Sequence, residues 1–255
     1  MPSKIEWTQE TWNPITGCTK ISEGCKNCYA ERMARRLAGR YGYPEQPNHF
    51  NIILHADKLA QPDKWKKPRK VFICSMGDLF HESVPFTYIY IIWKVMAINN
   101  RHTFQILTKR PKQMLKFVHW LAGADHISIA EFPQNVWVGV TAENQRTADE
   151  RIPVLLSIPA AVRFVSVEPM LESISFRWAN WLPIKDHDHL DGLRQLDWLI
   201  CGGETGPGAR EMKATWAMNL YRQCQDANVP FFFKKTGDSF QGGDLPLVRE
   251  YPNKR

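Results

Sequence analysis

The sequence contains no run that approaches the ~18 uncharged apolar residues a membrane-crossing helix needs. Its richest stretch, Val84 to Ile98, is broken by Lys94 and carries Pro85 near its start. The opening Met1-Pro2-Ser3-Lys4-Ile5-Glu6-Trp7 has no apolar core and no small-residue cleavage site, which predicts a cytoplasmic chain with no export signal and no membrane partner. Internal repeats, low-complexity tracts and long linkers are also missing, so one domain over residues 1–255 is expected. Cysteine is too sparse, six in 255 residues, for a secreted disulfide framework. Acidic residues are the minority charge, 26 against 33 Lys and Arg, and the net +7 favours an anionic partner, nucleic acid foremost. A hydrophobic content of 44% with 23% charged residues excludes wholesale disorder. Ten tryptophans are many for this length; most belong to a core, and some could serve as stacking platforms.

Short, nearly continuous apolar runs recur along the chain: Val71–Cys74, Phe104–Leu107, Val136–Val140, Arg163–Val167, Trp198–Cys201 and Phe231–Phe233, with weaker candidates at Thr11–Thr16 and Phe50–Leu54. Such runs suit strands buried on both faces. Between them fit helices over Tyr29–Arg40, Pro85–Asn99, Lys112–Leu121, Arg146–Ser157 and Thr215–Ala227, with Pro153 expected to shorten or bend the fourth. Alternation of this kind predicts an α/β fold with six to eight parallel strands in a partial or complete (β/α) barrel. A doubly wound open sheet is the alternative. The segment near 182–196, containing Asp186-His187-Asp188-His189, reads as a polar excursion; a solvated loop there outweighs a metal site.

Three of the six cysteines crowd into one loop, residues 17–29: Gly17-Cys18-Thr19-Lys20-Ile21-Ser22-Glu23-Gly24-Cys25-Lys26-Asn27-Cys28-Tyr29, a C-x6-C-x2-C spacing. Glycines before Cys18 and Cys25 let the loop curl its sulfurs toward a common centre, and Cys25 and Cys28 lie at the start of the first helix, where the dipole favours thiolates. Three thiolates can hold three irons of a 4Fe–4S cluster and leave the fourth open, the iron that S-adenosylmethionine (SAM) chelates in radical SAM enzymes. A structural zinc normally takes four protein ligands, and no fourth Cys or His is near in sequence. Zinc with a distant Cys74 or Cys201, and three unligated thiols, are the other readings.

Glu6-Trp7-Thr8, Trp12 to Cys18, Cys25 to Arg32, Phe72 to Phe80, Gln105 to Pro111, Phe164 to Pro169, Gly202 to Pro207 and Phe231 to Lys235 carry a resemblance over almost the whole chain. The chain resembles a phage-associated three-Cys-motif family of uncharacterised, radical-SAM-like proteins. That resemblance implies a barrel of the radical SAM type and a cluster on Cys18, Cys25 and Cys28. It also implies an enzyme that generates a 5′-deoxyadenosyl radical from SAM to modify or repair a substrate. The usual radical SAM spacing is C-x3-C-x2-C, so the first gap here is longer. Expected partners are a nucleic-acid or nucleotide substrate, an external electron donor and a protein encoded by a neighbouring gene. The competing reading is a zinc- or cluster-stabilised nucleic-acid-binding protein without catalysis.

Ligands of parallel α/β proteins sit at the carboxyl ends of the strands. The expected strands end in Ser75, Gly77 and Asp78; Thr108, Lys109 and Arg110; Thr141, Glu143 and Asn144; Glu168; Gly202, Gly203 and Glu204; and Lys234 and Lys235. By charge type, Asp78 suits the SAM amino group, Lys109 its carboxylate, and Glu143 or Glu168 its ribose, while Gly202, Gly203 and Glu204 line cofactor or substrate. Cys201 is a candidate hydrogen-atom donor, although a buried strand cysteine is the simpler reading. Two basic stretches, Lys64-Trp65-Lys66-Lys67-Pro68-Arg69-Lys70 and Arg32, Arg35, Arg36 and Arg40, suit phosphates or, equally, plain solvent.

Overall fold

The computed structural model describes residues 5–123, 132–176, 181, 191–243, 245 and 248–253. The chain separates into two compact units, Met1–Val138 with Pro159–Ala161, and Gly139–Ile158 with Val162–Arg255. The first holds β1 (Glu10–Trp12), β2 (Ile15–Thr16), α1 (Tyr29–Arg36), β3 (Ile53–Leu54), β4 (Lys70–Ile73), α2 (Phe86–Ile98), β5 (Thr103–Thr108), α3 (Pro111–Gly123) and the first half of β6 (Val136–Thr141). The second continues with α4 (Gln145–Leu156), β7 (Val162–Val167), α5 (Asp191–Arg194), β8 (Trp198–Gly202), β9 (Met212–Lys213), α6 (Ala214–Ala227), β10 (Phe231–Lys235) and β11 (Phe240–Gln241).

Seven of these strands form one parallel sheet in the order β1-β4-β5-β6-β7-β8-β10. The order follows the chain without reversal, which is the singly wound order of a (β/α) barrel and excludes the doubly wound alternative. The composition explains the burial. Every residue of β6 (VWVGVT) and β8 (WLICG) is buried, as expected where both faces of a parallel sheet are covered. In the first unit, α2 and α3 supply buried Trp93 and Phe117, whose rings meet edge-on at 5.7 Å. In the second, Trp198 of β8 packs near Phe164 of β7 and Phe232 of β10.

Several expected elements change at their ends. The run Thr11–Thr16 is two strands: β1 joins the main sheet, while β2 pairs antiparallel with β3 in a separate ribbon. Asn13-Pro14 separates them, and the missing amide of Pro14 cannot continue the ladder. Helix α1 stops at Arg36 instead of Arg40, followed by Gly39, Tyr41 and Gly42 at positive φ. Pro153 neither stops nor shortens α4, which runs on to Leu156. Its first turn is fixed by a reciprocal Asn144–Thr147 capping box, and Arg151, Ile152 and Leu155 are buried on either side of the proline. The Asp186-His187-Asp188-His189 stretch lies outside the described residues.

Candidate active site

In the first unit, the three-cysteine loop is anchored at its first residue. Gly17 has φ +93°, its amide donates to the Met76 carbonyl at 2.9 Å, and a Cβ there would stand 2.0 Å from the Asn51 carbonyl oxygen. Both conformation and space therefore demand glycine. Gly17 also bridges Gly77 in parallel register, and the Cys18 amide donates to the Phe50 carbonyl at 3.1 Å. The loop is thus stitched to the turn that follows β4, at that strand's carboxyl end. Cys25 closes a short 3-10 turn (Glu23–Cys25), with Ser22 Oγ 3.7 Å from its sulfur. Cys28 is the N-cap residue of α1, and its carbonyl accepts from the Arg32 amide. All three are half-buried free thiols.

Arg110, just past β5, is the hub of this region. Its side chain is 3% exposed, yet it is fully engaged. Nη1 donates to Cys18 Sγ and to Asp78 Oδ2, each at 3.3 Å; Nε donates to Glu82 at 2.8 Å; and Nη2 donates to the Thr19 carbonyl and hydroxyl at 3.0 and 2.9 Å. Asp78 is buried and saturated. Its Oδ1 accepts from the Phe80 amide and Thr108 Oγ1, and its Oδ2 from the Lys109 amide and Arg110. His81 completes the cluster through the Thr19 hydroxyl at 2.9 Å.

The first and second sulfurs of the loop feel different fields. Burial, followed by the charge of Asp78, pushes the Cys18 thiol up to about 11, and Arg110 offsets part of this. Burial also acts to raise Cys25. The Lys109 charge and hydrogen bonds from the Ile21 and Ser22 backbone and the Ser22 side chain outweigh it, and the thiol ends below its usual value. Cys74 is a different case: interior, at positive φ, with burial holding its thiol far above the normal range. In the second unit, burial does the same to Cys201 and Cys224.

The donors on the loop match an iron–sulfur cluster in type and number. Among the described residues, no group of three or more His, Cys, Asp and Glu side chains is gathered closely enough to hold a single metal ion. A tetrahedral zinc draws its thiolates to about 2.3 Å from one point. A cubane takes one thiolate on each of three irons and leaves the fourth without a protein ligand.

The second unit holds the remaining expected residues in three separate settings. Glu143 is wholly buried in an ion pair with Arg151 at 2.9 Å, and Arg151 also donates to the Thr141 carbonyl. Glu168, past β7, accepts from Ser166 Oγ at 3.0 Å and pairs with Lys234 of β10 at 2.7 Å, both side chains being partly exposed. Gly202 makes room for this carboxylate, since a Cβ there would stand 2.8 Å from Glu168 Oε1. Gly203 lies against the Thr236 carbonyl, 2.0 Å from where a Cβ would sit. Glu204 is held by Arg210, whose backbone amide, Nε and Nη2 all donate to it. Cys201 Sγ meets the Met170 sulfur at 3.6 Å in the interior.

The structure therefore brings Cys18, Asp78 and Arg110 together, sets Lys109 in electrostatic reach of Cys25, and joins Glu168 to Lys234. In the sequence Arg110 and Lys234 stand at strand ends, and nothing local names their partners. Arg110 stands two residues past Thr108, and both side chains reach Asp78. The stretch Lys64 to Lys70 leads into the amino end of β4, where Trp65 packs edge-on against His102 and Arg69 pairs with Glu10. A groove of about 760 Å³ also lies at the amino ends of β8 and β10, lined by Asp197, Cys224, Val229 and Tyr251, and none of the expected site residues borders it.

The fold and loop define a singly wound parallel α/β protein with a three-thiol loop at the carboxyl end of a strand. The chain belongs to the family described as "Protein of unknown function (DUF5131)", whose model matches residues 2–247. No curated protein sequence matches it. Among solved structures it is similar to spore photoproduct lyase complexed with dinucleoside spore photoproduct, at 12% identity and a TM-score of 0.45, over 89% of this chain and 75% of that one. A cysteine-to-alanine mutant of the same lyase with that ligand gives 13% identity and a TM-score of 0.45 over the same shares. No helix among the described residues is long and apolar enough to cross a membrane.

Proposed function

We propose that the chain is a radical SAM-type iron–sulfur enzyme that modifies or repairs a nucleic-acid or nucleotide substrate, with Cys18, Cys25 and Cys28 as the protein ligands of a 4Fe–4S cluster. The observation that carries this reading is the loop itself: three free, half-buried thiols on one glycine-anchored segment, tied to the turn after β4 and braced by Arg110. When bound, a reduced cluster of this kind supplies, from an external donor, the electron that splits SAM into methionine and a 5′-deoxyadenosyl radical.

The chain's own residues bind and orient. Lys109, whose charge already reaches Cys25, is the cation for the SAM carboxylate. Asp78 spends its acceptors on Thr108, Arg110 and the Phe80 and Lys109 amides, so its part in holding SAM is to fix the backbone at Lys109. In the second unit, Glu168 is oriented by Lys234 and Ser166. Gly202, Gly203 and Glu204 shape the chain beside it.

Anaerobic reconstitution tests the reading. The expected product is a brown protein with about four irons and four sulfides per chain, which releases 5′-deoxyadenosine when reduced in the presence of SAM. A colourless, zinc-loaded protein would establish the non-catalytic alternative instead. An intact cluster that yields no 5′-deoxyadenosine under several reductants would leave a cluster protein that does not cleave SAM.

A further inference from the structure

The segment that leaves the cysteine loop carries a surface the cluster chemistry does not use. From Lys20 to Tyr41, Lys20, Lys26, Arg32, Arg35, Arg36 and Arg40 face only Glu23 and Glu31, a local charge of +4 within a chain of net +7. Glu31 is already paired with Lys20 at 2.8 Å. Helix α1 divides cleanly. Ala30 and Ala34 are buried, with Met33 and Leu37 packed beside them, while Tyr29, Arg35 and Arg36 are exposed, and Arg40 and Tyr41 extend that exposed face beyond the helix. Tyr29 is 58% and Tyr41 79% exposed, and among the described residues no other Phe, Tyr or Trp is comparably open. Leaving two rings in water is unfavourable by the ordinary hydrophobic measure, and a purely solvated basic face has no need of them.

We infer that this face, Tyr29, Arg35, Arg36, Arg40 and Tyr41, is a single-stranded nucleic-acid track, with arginines on phosphates and the two tyrosines stacking on bases. Combining cations along the backbone with sequence-tolerant stacking is how single strands are held. Duplex DNA keeps its bases inside and offers the rings nothing, and a membrane surface calls for a broader apolar face than two phenols provide. The position agrees with the chemistry. Tyr29 directly follows the third cysteine, so a strand on α1 runs up to the loop, whereas the Lys64–Lys70 stretch lies at the amino end of β4. This inference deepens the reading above by naming the form of its substrate, but binding can be measured with or without a cluster.

The test is fluorescence anisotropy of the full chain, apo and reconstituted. The probes are a labelled 20-nucleotide single strand of DNA, the same sequence as RNA, its DNA duplex, and anionic phosphatidylserine vesicles. The single strands should bind most tightly. Substituting Arg35, Arg36 and Arg40 together by Ala should weaken binding at least tenfold and lower the salt slope by about 2, near 0.7 for each phosphate no longer neutralised. Tyr29→Ser with Tyr41→Ser should weaken it about tenfold with the salt slope unchanged. Lys66→Ala with Lys67→Ala serves as the control of equal charge type and should leave binding as it was. All variants are compared at matched circular dichroism and melting temperature. The inference is overturned by duplex or vesicles binding as well as single strands, by arginine variants that bind normally, or by a control that weakens binding as much. Failed cluster chemistry with binding intact counts against the proposed function alone.

Discussion

The guanidinium of Arg110 donates an N–H to the Cys18 sulfur across 3.3 Å, and the same nitrogen reaches Asp78. One buried cation thereby couples the first cysteine of the loop to the turn after β4. Arg110→Ala leaves the Asp78 carboxylate buried without its counter-charge, a loss of about 3–5 kcal/mol that urea unfolding should register. Arg110→Lys keeps the charge but cannot fork to Cys18, Thr19 and Glu82 at once. Hydrogen bonds to cluster sulfurs stabilise the more negative, reduced state, so this variant should retain iron and show a lower cluster potential. A redox titration followed by electron paramagnetic resonance reads that shift directly; an unmoved potential would reduce Arg110 to a structural brace.

The six cysteines should split into two sets. Cys18→Ala, Cys25→Ala and Cys28→Ala should each lose the cluster, as iron and sulfide analysis will show. Cys74→Ala, Cys201→Ala and Cys224→Ala should keep it, because those thiols are interior, and should differ from the parent chain by only about 1–2 kcal/mol of stability. Normal iron content in Cys25→Ala would remove the loop from the account.

Two glutamates that look alike in sequence should behave differently. Glu143 is sealed in an ion pair with Arg151, so Glu143→Gln should cost about 3–5 kcal/mol in unfolding and act on ligands only through that loss. Glu168 is partly exposed beside Lys234, and Glu168→Gln should cost no more than about 1 kcal/mol. Urea unfolding of the two variants side by side reads this difference. Equal losses would mean that the Glu168–Lys234 pair is as deeply locked as Glu143–Arg151.

Stability should fall on acidification. Burial, assisted by Arg101 and Arg69, lowers the pKa of His102 below its ordinary 6.5, and burial with the Lys58 charge does the same for His55. The fold therefore favours the neutral rings. Their contribution is complete above about pH 6.5 and is lost as pH falls through the lowered folded values. Urea midpoints should drop between pH 7 and pH 5. His102→Gln, less stable at pH 7, should show a shallower drop; an identical slope would assign the acid sensitivity to other groups.

Local patterns are readable from the chain alone. Apolar runs such as VWVGV and WLIC announce strands covered on both faces, because burial selects residue type over a few consecutive positions. The thiol loop is equally plain, since its spacing and its Gly17 lie within one short segment. Element ends are less so: the helical pattern of α1 continues to Arg40, yet the helix stops where Leu37 caps it and Gly39 turns to positive φ.

The amino-acid order by itself determined the strand-and-helix alternation, the basic excess and the grouping of three cysteines, all properties of neighbours along the chain. Only the tertiary structure decided that Asp78 is saturated, that Glu143 is locked to Arg151 while Glu168 meets Lys234, and that Arg110 reaches Cys18. Those facts depend on which strand ends the sheet order sets side by side. Electrostatic partnership is fixed by distance in space, and a hydrogen bond between residues as far apart in sequence as Cys18 and Arg110 leaves no trace in the local pattern of either segment.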